Sequence, residues 1–271
     1  ALTPDPADKA EIYFANGGRI VSIKADGTDR AVLTRRNGSV GIFSRARDAA
    51  PLPSPDGQTV LFTRLVDRKP RKSGILATGR EGGLARRILA PQTRDETLSA
   101  VDWNADGSRF FALRFRISEK KRKKTAVFRT DLLSVKLDGS EVRKLYSTRA
   151  VLRPDGSGMG LPWIPEDASV APDGKTAVLS MIKFDPPSKT RLARVDLTTG
   201  ESVWLSKDGR LADISPDGKT VVFSSERARK NESCHDGYCG YDPKLYLVNL
   251  DGSNLRPLMP VNREGSFTSP D

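Results

Sequence analysis

The stretch Ser215-Pro-Asp-Gly-Lys-Thr-Val-Val-Phe-Ser224 decides the fold, because its pattern returns along the whole chain. Proline fixes φ at the second turn position, aspartate accepts hydrogen bonds from nearby backbone, and glycine tolerates positive φ, so the first half is a tight turn. The β-branched and aromatic residues that follow predict a strand. Related copies begin at Ser54, Asn104 and Ala171, and a fifth begins at Ser269, at intervals of 50, 67, 44 and 54 residues. Each copy therefore predicts a β-hairpin.

A second motif follows each hairpin within the repeat. In Leu245-Tyr-Leu-Val-Asn-Leu-Asp-Gly-Ser253 an apolar alternation runs into another turn, and a short apolar strand comes after it. Each unit therefore contains four strands, here called A, B, C and D, joined by an A–B turn, a B–C loop and a C–D turn. Antiparallel units of four strands and 40 to 50 residues are typical of β-propeller blades.

These two motifs, and above all the Ser-Pro-Asp-Gly-Lys repeat, resemble the repeats of TolB-like β-propellers. The resemblance extends from about Glu11 to Asp271. It implies an all-β fold, a β-propeller of four-stranded antiparallel blades, and an extracytoplasmic binding module rather than an enzyme. We expect residues 1–271 to form a single propeller domain.

The number of blades is predicted from the complete repeats. Five complete units are present, and TolB-like propellers typically have six blades, so a sixth would belong to a longer parent chain. The chain begins at a B strand, Ile12 to Ala15, and ends at an A strand, Ser266 to Thr268. We expect these N- and C-terminal strands to share the closing blade, which would leave no exposed sheet edge.

Composition excludes several classes of enzyme. The chain has a single histidine, His235, so a Ser-His-Asp triad or a multi-histidine metal centre cannot be built. Catalysis by carboxylates alone stays open. No cofactor is implied by any motif. The net charge of +11 favours anionic partners.

The positive charge is concentrated in the predicted B–C loops. Four long loops carry formal charges of +3, +5, +2 and 0, nearly the whole net charge of +11. In a propeller these loops project from one face, which predicts a basic working surface. The alternative is that they are merely solvated. The binding residues expected on this face are Arg68, Lys69, Arg71, Lys72, Arg116, Lys120, Lys121, Arg122, Lys123, Lys124 and, as an aromatic anchor in a D–A connection, Trp163.

Three aspartates outside the turns suggest an alternative function. Asp102, Asp167 and Asp213 precede their turns by two or four residues, where a propeller places them near its central channel. Channel carboxylates could bind a cation or act as a glycosidase acid and base, which would make the chain a carbohydrate-active hydrolase or a cation-binding propeller. Trp103 and Trp204 fall in predicted strands A and D, and we expect both in the core.

The only two cysteines, Cys234 and Cys239, lie in one loop-like stretch. Their spacing allows a loop-closing disulfide, which would indicate an oxidising compartment. Free thiols are the alternative. A metal site with His235 and a nearby aspartate is a further alternative, although the spacing matches no common zinc motif.

We expect a periplasmic, secreted or cell-surface protein of bacteria, monomeric and without a transmembrane segment. Its partner would be a protein or an anionic polymer, such as a cell-wall polyanion or an acidic glycan. Nucleic acid is disfavoured because no aromatic side chain is interleaved within the basic run from Lys120 to Lys124. The sequence does not name the ligand.

Overall fold

The computed structural model describes residues 11–34, 46–66, 73–120, 125–152, 163–183, 189–225 and 244–258. These residues form strands and turns, and no helix occurs among them, so none could cross a membrane as a long apolar helix. The strands are β1 Glu11–Asn16, β2 Arg19–Lys24, β3 Ala31–Val32, β4 Ala46–Pro53, β5 Thr59–Val66, β6 Gly74–Gly79, β7 Gly82–Leu89, β8 Glu96–Trp103, β9 Arg109–Lys120, β10 Thr125–Lys136, β11 Arg143–Leu152, β12 Ile164–Val170, β13 Thr176–Lys183, β14 Lys189–Asp196, β15 Ser202–Ser206, β16 Arg210–Ile214, β17 Thr220–Ser225, β18 Lys244–Asn249 and β19 Arg256–Pro257.

Consecutive strands pair into five antiparallel sheets in the described part of the chain. Sheet 1 is β1-β2-β3, sheet 2 is β4 to β7, sheet 3 is β8 to β11, sheet 4 is β12 to β15 and sheet 5 is β16 to β19. Sheets 2 to 5 have four strands each, in chain order, as the repeat predicts for blades A to D. The predicted all-β class and blade organisation are confirmed.

Sheet 1 differs from the other four because it contains three described strands. This is the number expected for a blade that begins at its B strand. The strand predicted to complete it, 266–268, lies outside the described residues, so its sharing of the closing blade stays a prediction.

The A–B turns have the geometry that the motif predicts. In the turn of sheet 2 the Gly57 N–H donates to the Ser54 carbonyl at 2.8 Å, and the Gln58 N–H donates to Asp56 Oδ1 at 3.0 Å. The four turn glycines have φ between 67° and 70°, which side chains other than glycine rarely adopt. The same aspartate-to-backbone bond occurs at Asp106, Asp173 and Asp217. These aspartates therefore serve their own turns.

The chain divides into two compact units, Ala1–Ile164 and Pro165–Asp271. In the first unit, apolar side chains of sheets 1 and 2 form one core around Phe62, and those of sheets 2 and 3 form another around Phe110. In the second unit, sheets 4 and 5 enclose a core around Phe223, which stacks on Tyr246 with ring centroids 6.0 Å apart. Central strands such as β5 and β13 each supply five consecutive buried residues, as expected for a strand that is covered on both faces.

Candidate anion-binding site

A pocket of about 250 Å³ opens between sheets 2 and 3 of the first unit. It lies at the end of these sheets where the B–C loops and the D–A connections leave the strands. Val66 at the end of β5 and Ser73 before β6 line it from sheet 2, and the Ser73 hydroxyl accepts a hydrogen bond from the Val66 N–H at 2.9 Å. The pocket is therefore on the edge that the sequence predicts to be basic.

Three arginines dominate the lining of this pocket, which we call the arginine pocket. Arg47 comes from β4, Arg64 from β5 and Arg94 from the connection before β8, whereas Glu96 is the one carboxylate among the lining residues. Arg47 and Arg94 are exposed at the surface, and Arg64 and Glu96 are buried. Because Asp48 pairs with Arg64, three guanidinium groups face two carboxylates, and this excess of positive charge favours an anion in the pocket.

Arg64 is held in one orientation by a buried partner. Its Nε and a terminal nitrogen donate to the two carboxylate oxygens of Asp48 at 2.6 and 2.7 Å. The guanidinium also lies over the buried Phe62 ring, 5.4 Å from its centroid. Asp48 and Arg64 are directly opposite each other in the pairing of β4 with β5, so the antiparallel register fixes the pair. This paired bond neutralises the Arg64 guanidinium, so the excess positive charge of the pocket comes from Arg47 and Arg94.

A second arginine cluster lies beside the pocket on sheet 3. Arg114 and Arg116 on β9 both donate to Asp131 Oδ2, and the Ser147 hydroxyl donates to Asp131 Oδ1 at 2.6 Å. Asp131 has no exposed surface. Burial raises the pKa of its carboxyl, but the Ser147 hydroxyl and the Arg114 and Arg116 guanidinium groups outweigh that effect and hold the pKa below its ordinary value. Asp131 is therefore an anion that fixes two cations.

Few of the predicted loop residues fall in the described part of the chain. Arg116 lies on β9 with its side chain 30% exposed, and Lys120 is the last residue of the same strand. The structure places Arg116 beside the arginine pocket, since its pairing partner on β8 is Glu96. Outside the described residues lie Arg68, Lys69, Arg71, Lys72, Lys121, Arg122, Lys123, Lys124, Cys234 and Cys239.

Of the three predicted channel carboxylates, Asp102 and Asp213 accept hydrogen bonds from nearby residues, and Asp167 is half-buried. In the first unit, Asp102 Oδ1 accepts the Trp103 N–H at 2.8 Å. In the second, Asp213 Oδ1 accepts the Ser169 hydroxyl at 3.1 Å, and Asp167 is half-buried on β12. Within the described ranges no three histidine, cysteine, aspartate or glutamate side chains come together as metal ligands.

The tryptophans divide between core and surface. Trp103 is 6% exposed in the core of sheets 2 and 3, as predicted. Trp204 was expected in the core as well, and this is wrong: it is 49% exposed, because it lies on the outermost strand of sheet 4, where the Arg191 guanidinium covers its ring at 5.2 Å. Trp163 is half-buried just before β12.

Comparison with known proteins identifies the fold. No family model matches the chain. A protein assigned as TolB from Agrobacterium tumefaciens has a similar structure, with a TM-score of 0.58 and 18% sequence identity over 93% of this chain and 78% of that one. The chain has the fold of a TolB-like β-propeller. An oligogalacturonate lyase solved in complex with manganese is also similar, with a TM-score of 0.53 and 16% identity over 84% of this chain and 53% of that one, about half its length. At these identities the likeness concerns the fold alone.

The sequence analysis missed the charged residues that lie within the strands of this propeller. The predicted binding charges are mostly in loops, whereas Asp48, Arg64, Arg114 and Asp131 lie within strands. For Arg64 the signal was available, because its neighbours two residues away, Phe62 and Val66, are apolar and buried. An alternating strand with a charge at an inward position indicates a paired or functional group.

Proposed function

We propose that the chain is a non-catalytic binding module that receives an anionic group of its partner in the arginine pocket. The observation that carries this proposal is the convergence of Arg47, Arg64 and Arg94 on one pocket at the loop edge of sheets 2 and 3. Asp48 holds Arg64 in one orientation, while Arg47 and Arg94 place positive charge at the surface. Fixed guanidinium groups recognise carboxylate and phosphate through paired hydrogen bonds.

In this proposal the basic B–C loops enlarge the positively charged surface around the arginine pocket. The segment with Arg68, Lys69, Arg71 and Lys72 connects Val66 to Ser73, two residues that line the pocket. The segment 121–124 follows β9, the strand that carries Arg116. Charge in these segments would raise the rate at which an anionic partner arrives, whereas the pocket would set the geometry of its bound group.

The partner that fits is an acidic protein surface, a cell-wall polyanion or an acidic glycan. We propose a periplasmic, secreted or cell-surface location, a monomeric state and a single domain. A disulfide between Cys234 and Cys239 would agree with an oxidising compartment. The aspartates Asp102, Asp167 and Asp213 have no role in this proposal, so their replacement by asparagine should leave anion binding unchanged.

The test is a salt series with fluorescently labelled heparin, alginate and poly-L-glutamate. One variant removes the pocket charges, Arg47→Gln with Arg94→Gln, and another reverses the loop charges with glutamate at Lys120, Lys121, Lys123 and Lys124. The matched control is Arg30→Gln with Arg143→Gln, two exposed arginines at the C–D turn ends of sheets 1 and 3. We expect the pocket variant to bind at least tenfold more weakly at low salt.

The slope of log affinity against log salt makes this test specific. Each cation that contacts the polyanion contributes roughly one unit to the slope. The pocket variant should therefore lose about two units, while the control keeps the wild-type slope. If pocket variant and control bind alike, the arginine pocket is not the recognition surface, and the proposed function is wrong.

A further inference from the structure

Three arginines lie side by side on adjacent strands of sheet 3. Arg129 on β10 is directly opposite Arg116 on β9 and directly opposite Arg149 on β11. Directly opposed residues project from the same face of a sheet with Cβ atoms about 4.5–5.5 Å apart, and like charges at such positions are destabilising. This row of arginines therefore lowers the stability of the sheet unless other groups balance its charge.

The fold balances only the inner end of the arginine row. Arg116 donates to the buried carboxylate of Asp131. Arg129 and Arg149 are exposed, and no hydrogen bond or ion pair joins either guanidinium to another described residue. The unbalanced positive charge is therefore at the outer end of the row, on β10 and β11.

The row ends at an edge of the sheet, because β11 is the outermost strand of sheet 3. An edge strand presents unpaired N–H and C=O groups, and proteins usually protect such edges with short strands, bulges or proline. The other outermost strands in the described part of the chain are protected in this way. β3 and β19 have two residues each, β19 contains Pro257, and register shifts interrupt the pairing of β7 and β15.

β11 does not have this protection. It has ten residues, and its register with β10 continues without a shift from Tyr146 to Leu152. Arg149 lies within this regular segment, and Val151, two residues further along and on the same face, is 39% exposed. A long regular edge is a template to which another strand can add.

We infer that β11 binds an extended acidic peptide segment of a partner protein, which adds to sheet 3 as a further strand. Only a polypeptide backbone repeats donors and acceptors with the spacing of this edge. An aspartate or glutamate of the peptide lies opposite Arg149 and balances the row, and an apolar residue lies opposite Val151.

A second copy of the chain does not fit this edge. β11 contains three cations, Arg143, Lys144 and Arg149, and no carboxylate, so two copies would bring cations together without any balancing charge. The edge is also separate from the arginine pocket, to which sheet 3 contributes only residues of β8. The inference therefore goes beyond the proposed function.

Two peptides of seven residues test the inference on the full chain. Acetyl-Thr-Val-Thr-Glu-Thr-Thr-Val-amide, paired antiparallel with the segment from Tyr146 to Leu152, has its glutamate opposite Arg149 and its first valine opposite Val151. The second peptide has lysine in place of glutamate. Fluorescence anisotropy of the labelled peptides measures their affinities. We expect the glutamate peptide to bind at least about fivefold more tightly, because attraction to Arg149 replaces repulsion.

Methylation of alternate peptide nitrogens separates strand addition from attraction by charge alone. In an added antiparallel strand, every second residue turns its N–H toward β11 and the others turn theirs to solvent. Two further glutamate peptides carry N-methyl groups at the even or at the odd positions, and each is the matched control of the other. We expect one of them to lose measurable binding and the other to keep it. Equal binding of both would overturn the inference.

A charge exchange tests the role of Arg149. In Arg149→Glu the preference should reverse, so that the lysine peptide binds more tightly. The matched control Arg143→Glu makes the same change of net charge on the same strand. It lies roughly 20 Å from Arg149 at about 3.3 Å per residue, beyond the screening length of about 8 Å at 0.15 M salt, so the wild-type preference should persist. An unchanged preference in Arg149→Glu would overturn the inference.

The remaining outcomes separate this inference from the proposed function. Arg47→Gln with Arg94→Gln leaves β11 intact, so this variant should lose heparin binding and keep peptide binding. Failure of both peptides to bind the wild-type chain, while heparin binding still depends on the arginine pocket, would overturn the inference alone. Binding of alginate that is lost in Arg149→Glu, without binding of either peptide, would also overturn it, since the row would then serve a glycan.

Discussion

Replacing the buried Asp131 with asparagine is expected to lower the free energy of unfolding by about 2–4 kcal/mol, because it leaves the partly buried Arg114 and Arg116 without their counter-ion. Asparagine keeps the shape of the side chain, so the loss reports charge rather than a cavity. Urea unfolding at pH 7 measures it. The matched control is Ser147→Ala, which removes one hydroxyl donor to the same carboxylate and should cost only about 1 kcal/mol.

The pH dependence of that loss gives a second measurement. The pKa of Asp131 is lower in the folded chain than its ordinary value of about 3.9. The carboxylate therefore contributes stability that is fully present above about pH 4 and is lost as the pH falls through the lower folded pKa. The difference between wild type and Asp131→Asn should shrink in that acid range. A constant difference from pH 5 to pH 3, or a loss under 1 kcal/mol at pH 7, would contradict this account of the cluster.

The repeat predicted the blades because each turn is coded by residues that are adjacent in the chain. Proline, aspartate and glycine within four residues fix a turn wherever it occurs, and Asp56 hydrogen-bonds as that motif requires. The strand order follows, because consecutive antiparallel strands need only short connections. Fold class and blade organisation were thus predictable from local sequence.

The arginine pocket could not be predicted in the same way, because its residues are distant in the chain. Arg47, Arg64 and Arg94 meet through the pairing of β4 with β5 and the packing of sheet 2 on sheet 3. Arg116 was predicted as a loop residue and lies instead on a strand that extends to Lys120. The exposure of Trp204 could not be predicted from local sequence either. An outermost strand has the same apolar alternation as an inner strand, yet Trp204 on the outermost strand is half exposed.

The second large loss of stability is expected on substitution of Gly74, because of its backbone conformation in the pocket wall. This residue begins β6, lines the pocket, and has a φ of +144°. A Cβ added there would clash with the Leu89 carbonyl oxygen, a backbone atom that cannot move without shifting β7. Gly74→Ala should therefore combine backbone strain with overpacking.

Gly83 on β7 offers the matched control for that substitution. Its φ of +112° is also unfavourable for alanine, but an added Cβ would meet no atom within 4 Å. We expect Gly83→Ala to cost about 1–2 kcal/mol from strain alone and Gly74→Ala roughly 2–5 kcal/mol from strain and clash together. Because Gly74 lines the arginine pocket, its variant should also weaken heparin binding, whereas Gly83→Ala should not. Equal losses of stability in urea unfolding would show that the clash at Leu89 is relieved at no cost and would contradict this prediction.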